Sequence, residues 1–212
     1  MNKENQILRL EEIIETAYML LTNKLALGNT IAKNESALQL EFGSVLKSIG
    51  HLYEFKSTDK FQLEFETSIA LNEKRLKSNS DRARVDLLLK FQDEKHITTA
   101  AIELKYFKKE NNREPNNRYD VFRDLSNLEL YKKNGVDLCY FILATDHAHY
   151  YNQENYSPDT ADFDFRNGKN YQAGTVLNYK TAKPYGPPIA LNQDYVFSWD
   201  EMEDLYFLKV GV

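Results

Sequence analysis

Cysteine is nearly missing from this chain of 212 residues; Cys139 is the only one. Its scarcity excludes a disulfide within the chain and any zinc site built on cysteines. Cys139 lies in the apolar stretch "DLCYFILA" and reads as a core thiol rather than a nucleophile. Glycine (8) and proline (5) are also scarce, which argues against a linker-rich or low-complexity chain. Long apolar runs are lacking too. The longest, around residues 136–144, is too short to cross a bilayer, and "MNKENQILRLEEII" lacks the apolar core of a secretory signal. A cytoplasmic protein without membrane association is expected. Positive charge is in deficit, with a formal net charge of -5. That excludes a surface that coats nucleic acid all round but leaves room for a local basic groove.

With 42% hydrophobic and 13% aromatic residues, the chain can bury a full core as one domain. Residues 5–27 space Leu10, Ile13, Ile14, Ala17 and Leu21 as an amphipathic helix, broken by "GNT". A second helix starts in "NESALQLEFGSVLKSIG", with Asn34 as its cap and Gly50 as its stop. Strands are expected at 61–71, at about 84–91, and from the turn "QDEKH" to about 107. A helix over about 117–134 turns Val121, Phe122, Leu125, Leu128 and Tyr131 to one side, and "VDLCYFILATD" follows as a buried strand. A strand, helix and strand in series imply a parallel pairing. The expected fold is therefore α/β, with a mixed central sheet of about four strands flanked by helices. Residues 1–30 hold the N-terminal helix, 31–145 the core, and 146–212 a β-rich C-terminal extension that decorates it.

Two of the strands carry charge where apolar residues belong. Asp86 interrupts "RARVDLLLKF", and Glu103 and Lys105 interrupt "TTAAIELKYFKK". Strand periodicity puts Glu103 and Lys105 on one face and Leu104 on the other. A turn closing at Glu94 and Lys95 sets Asp86 opposite Glu103, or diagonal to it after a slip of two residues. Facing carboxylates in a sheet repel, and a divalent cation turns that repulsion into coordination. Hard oxygen donors favour Mg²⁺, with Mn²⁺ as a substitute. A nearby lysine, its pKa lowered by the site, can orient or deprotonate the attacking water. Such an E-x-K is also a known edge-strand device against aggregation.

Asp86 followed seventeen residues later by Glu103-Leu104-Lys105 resembles the motif of the PD-(D/E)XK, or restriction-endonuclease-like, nuclease superfamily. The order of elements from residue 35 to about 144 resembles its core as well, over roughly half the chain. Val85 stands where the motif name has proline. The resemblance implies that Asp86 and Glu103 ligate the metal, that the Leu104 carbonyl joins them, and that Lys105 serves the attacking water. It also implies a glutamate from the first core helix. Of two candidates, Glu35 sits about 35° from the centre of the apolar stripe and Glu41 about 85° from it, which favours Glu35.

DNA is the expected partner. The segment "KRLKSNSDRAR" leads basic charge into the Asp86 strand, where Arg82 and Arg84 alternate with Asp86 and are expected to share its face. Lys108, Lys109 and Arg113 follow the Glu103 strand, and Arg118 and Arg123 lie on the next helix. All seven are candidate phosphate contacts, against the alternative of solvated surface loops. His147 and His149 lack further zinc ligands at usable spacing, and Tyr150, Tyr151 and Trp199 read as packing residues before base-stacking ones. The reading is a Mg²⁺-dependent deoxyribonuclease, with restriction, phage defence, repair and mobile-element settings all open and a homodimer compatible. The alternatives are an RNA-directed nuclease and a non-catalytic nucleic-acid-binding or assembly protein on the same fold.

Overall fold

The computed structural model describes residues 2–70 and 82–212, with the backbone alone at Ala70, Arg82 and Ala83. Two helices open the chain, α1 (Lys3–Ala26) and α2 (Glu35–Leu52). Each is capped by an asparagine: Asn2 accepts from the Asn5 amide and Asn34 from the Ala37 amide, both at 2.8 Å. Gly50 does not stop α2, which runs on to Leu52. It clears space instead. A Cβ on Gly50 would lie 2.3 Å from the Phe61 ring, and one on Gly43 would lie 2.4 Å from Phe65. The two glycines, seven residues apart on one helix face, admit the rings of the first strand.

That strand, β1 (Lys60–Ala70), pairs antiparallel with β2 (Arg82–Gln92), which pairs antiparallel with β3 (Ile97–Phe107). The β2–β3 turn is held by Asp93, whose carboxylate accepts from the Lys95 and His96 amides at 2.8 and 2.9 Å. Helix α3 (Glu114–Lys133) then crosses to β4 (Leu138–Thr145), parallel to β3 from Ala100–Leu138 to Phe107–Thr145. A short α4 (His149–Asn152) follows. Four two-residue strands, β5 (Asn170–Tyr171), β6 (Val176–Leu177), β7 (Ile189–Ala190) and β8 (Tyr195–Val196), form ribbons β5–β8 and β6–β7. The chain closes with β9 (Trp199–Met202) and β10 (Leu205–Gly211).

The fold is mixed α/β, as expected, but its sheet has six strands in the order β1-β2-β3-β4-β10-β9. The extension is thus only partly a decoration, because β10 lies antiparallel against β4. Without it the apolar β4 would present an open edge. No helix among the described residues is long and apolar enough to cross a membrane.

Two cores flank the sheet. Helices α1 and α2 cover one face with Leu87, Leu89, Ala100, Ile102 and Leu104 beneath them. Helix α3 covers the other, over Val85, Leu88, Ala101 and Phe141. The ribbons and their aromatic residues, Phe163, Phe165, Tyr195 and Phe197, enclose α3 from outside. An enclosed helix buries polar groups on several sides, which explains Asn117, Arg118, Asp124 and Asn127 in its interior-facing set.

Candidate active site

The hairpin register puts Leu87 opposite Ile102 and Gln92 opposite Ile97, so Asp86 and Glu103 are next in line. At that point the ladder stops. The Asp86 carboxylate takes the place of a backbone carbonyl and accepts from the Leu104 amide at 2.7 Å. On its other side Asp86 faces Glu66, which breaks the β1–β2 pairing with a φ of 52°. A left-handed conformation in a non-glycine residue costs about 1 kcal/mol, and both strands change face there. Val85 is buried under α3 whereas Leu87, two residues on, is buried under α1 and α2. Simple alternation therefore fails at Asp86, and with it the spacing argument that put Arg84 on the face of Asp86; the Arg82 side chain lies outside the described residues.

The parting of β2 from β3 lets residues from both layers meet around Lys105. Its Nζ donates to the Leu104 carbonyl at 3.0 Å and lies 3.4 Å from both Glu35 Oε1 of α2 and Asp124 Oδ2 of α3. Glu103 is 5% exposed and accepts from the Tyr131 hydroxyl at 3.0 Å. Leu104 is fully buried on the opposite side. Gln39 of α2 steadies the floor, donating to the Asp86 carbonyl at 2.8 Å and to Glu66 at 3.2 Å.

The electrostatics follow from four carboxylates around one ammonium. Burial pushes Glu103 well above the ordinary carboxylate range, reinforced by Asp124 and Asp86. Burial likewise raises Asp86 and Glu35 against the pull of Lys105. For Lys105 burial acts downward, but Asp124, Glu35, Asp86 and Glu103 outweigh it and raise the pKa. Its carboxylate neighbours therefore favour the charged form, opposite in direction to the lowered pKa expected.

No protein-family model matches the chain, and neither a curated protein nor a solved structure matches it. The site has to be judged on its own chemistry.

Among the described residues no three Asp, Glu, His or Cys side chains are set together to hold a metal. The donor set implied at the sequence level is different: Asp86, Glu103 and the Leu104 carbonyl, with Glu35. Its chemistry fits a hard divalent cation, being all oxygen and in excess of the one lysine. The buried Asp124 Oδ2, which has no hydrogen-bond donor, marks the same deficit of positive charge. Glu35 meets Lys105 instead of the other carboxylates.

The basic candidates separate into two groups. Arg84 is 68% exposed and pairs with Glu66 at 2.7 Å, Lys109 and Arg113 are exposed, and Lys108 is half-buried and pairs with Glu110 at 2.6 Å. The segment 72–81 and the Arg82 side chain lie outside the described residues. Arg118, in contrast, is 2% exposed. It donates to the Thr160 and Phe163 carbonyls at 3.1 and 3.3 Å and packs 3.7 Å over the Tyr156 ring, so it anchors the extension and offers nothing to a phosphate. Arg123 binds Asp120 and Asp124 and is similarly engaged. His147 meets Glu114 at 3.0 Å and its ring lies 5.3 Å from that of His149. Tyr150 is buried against Asn117, and Trp199 donates to the Phe165 carbonyl. Both serve packing.

Asp124, Gln39 and Glu66 were not among the sequence candidates. For Asp124 a signal existed: it stands three residues after Val121 and four before Leu128, inside the apolar stripe.

Proposed function

We propose that the protein is a Mg²⁺-dependent nuclease that hydrolyses DNA phosphodiester bonds on a restriction-endonuclease-like core. The observation that carries this reading is the parting of β2 from β3 at Asp86, which gathers Glu35, Asp86, Glu103 and Asp124 around Lys105. Such a cluster has no use in folding, since like charges buried together oppose it.

Asp86, Glu103 and the Leu104 carbonyl would hold the ion, whose charge polarises a phosphoryl oxygen. The chain supplies the rest. Tyr131 fixes Glu103, and Asp86 fixes the Leu104 amide and thereby the peptide plane next to its carbonyl. The Lys105 ammonium, close to that carbonyl, stabilises negative charge developing on the phosphate and orients water by donation. Glu35, 46% exposed, takes the role of carboxylate base or outer ligand.

The test is incubation with plasmid, linear duplex, single-stranded DNA and RNA, with and without Mg²⁺. Cleavage of DNA that stops with chelator is expected. Cleavage of RNA alone would redirect the substrate, and binding without cleavage would favour the non-catalytic reading. In the same assay Glu35→Gln should slow cleavage by about 10- to 100-fold and Glu41→Gln by less than about twofold. A larger loss from Glu41→Gln would place the helix contribution wrongly.

Salt dependence tests the phosphate contacts. Arg84→Ala should lower the slope of log affinity against log salt by about 0.9 with little change in melting temperature. Arg118→Ala should leave the slope alone and cost about 3 kcal/mol of stability, through lost buried hydrogen bonds from a charged group. The reverse pattern would exchange their roles.

A further inference from the structure

We propose that Asp124 is the positioning residue for Lys105, a buried carboxylate whose task is to fix the ammonium within the carboxylate cluster. The consequence for cleavage rests on the nuclease reading; the contact itself rests on geometry.

Asp124 lies at the middle of α3 and is 5% exposed. Its carboxylate stands between two cations, with Oδ1 3.2 Å from Arg123 Nε and Oδ2 3.4 Å from Lys105 Nζ. Pairing with Arg123 accounts for Oδ1 alone, since Oδ2 lies on the Lys105 side. A carboxylate needed only as a counter-ion would also stay near water, where its desolvation is small. Oδ2 instead points inward and has no hydrogen-bond donor at bonding geometry.

Two carboxylates grip Lys105, and their surroundings rank them. The Glu35 side chain is 46% exposed and that of Asp124 only 6%. Lys105 hydrogen-bonds to Glu35 and forms an ion pair without hydrogen-bond geometry with Asp124. Solvent screens the first contact and not the second, so the buried charge is the stronger electrostatic hold on the ammonium. This division leaves Glu35 free for other work at the site without releasing the lysine.

The experiment combines Asp124→Asn, Asp124→Glu, Lys105→Ala and the double variant Asp124→Asn/Lys105→Ala. Unfolding by denaturant gives a double-mutant cycle that needs no activity. Steady-state cleavage of linear duplex DNA with Mg²⁺ gives kcat and KM separately. Asp124→Asn is expected to lower kcat by about 10- to 100-fold with KM within about twofold, and Asp124→Glu to recover part of it. The cycle is expected to show coupling of about tenfold in the unfolding constant between positions 124 and 105. Absence of coupling, or an Asp124→Asn protein with unaltered kcat, overturns the proposal. If Asp124→Asn does not fold, Asp124→Glu carries the kcat measurement and a loss there is required. A wild type that cleaves no nucleic acid removes the nuclease reading, while the unfolding cycle still decides whether Asp124 holds Lys105.

Discussion

Lys105→Ala is expected to slow cleavage by about 10³-fold while DNA affinity stays within about twofold. In the proposed mechanism the ammonium acts on charge that develops only in the transition state, so its loss is expected to fall on kcat. It touches the Leu104 carbonyl and two carboxylates, and these contacts place it within the cluster rather than toward bulk solvent. The substitution should also cost about 3 kcal/mol of stability. Glu35, Asp86, Glu103 and Asp124 would lose the ammonium at their centre, and buried carboxylates left without it repel one another. Single-turnover cleavage, a binding titration and a denaturant curve make the check. Lost affinity with unchanged single-turnover rate would assign Lys105 to substrate binding instead.

Glu103→Gln should be equally damaging to cleavage and opposite in its effect on stability. Burial, then Asp124 and Asp86, raise the Glu103 pKa well above its ordinary 4.5. The folded protein therefore keeps a proton that the unfolded chain gives up. Stability falls as pH rises from about 4.5 through the raised folded value, because the folded state must then carry a buried charge. Glutamine carries no such charge, and its amide oxygen can still accept from Tyr131. With chelator present at about pH 8, Glu103→Gln is expected to be more stable than wild type by about 1–3 kcal/mol. Near pH 5 the advantage should shrink. A variant less stable than wild type at both pH values would show that the carboxylate supports the fold.

Much of this site could be read before any coordinates. The hairpin centred on Glu94 and Lys95 put Asp86 and Glu103 in line because strand period and a short turn leave few registers. What escaped the reading depended on non-local structure. Gly50 resembles a helix stop until Phe61 is seen to need its missing Cβ. Arg118 resembles a phosphate contact until residues 160–163, more than forty positions later, close over it. Asp124 stands inside the apolar stripe of α3, but nothing local names the cation it meets, Lys105 on β3. Strand β10 was legible as a strand but not as a member of the central sheet, since nothing local in "LYFLKV" names its neighbour.

Strand β10 also sets a temporal order on folding. Its partner β4 ends sixty residues before β10 begins, so that pairing closes a long loop and forms late compared with the β2–β3 hairpin. Until then β4, whose residues Cys139 to Thr145 are all buried in the finished fold, offers an unpaired apolar edge to any other strand it meets. A nascent chain that has released β4 but not β10 is thus the species most prone to self-association, and slowing synthesis across 146–204 would lengthen its exposure.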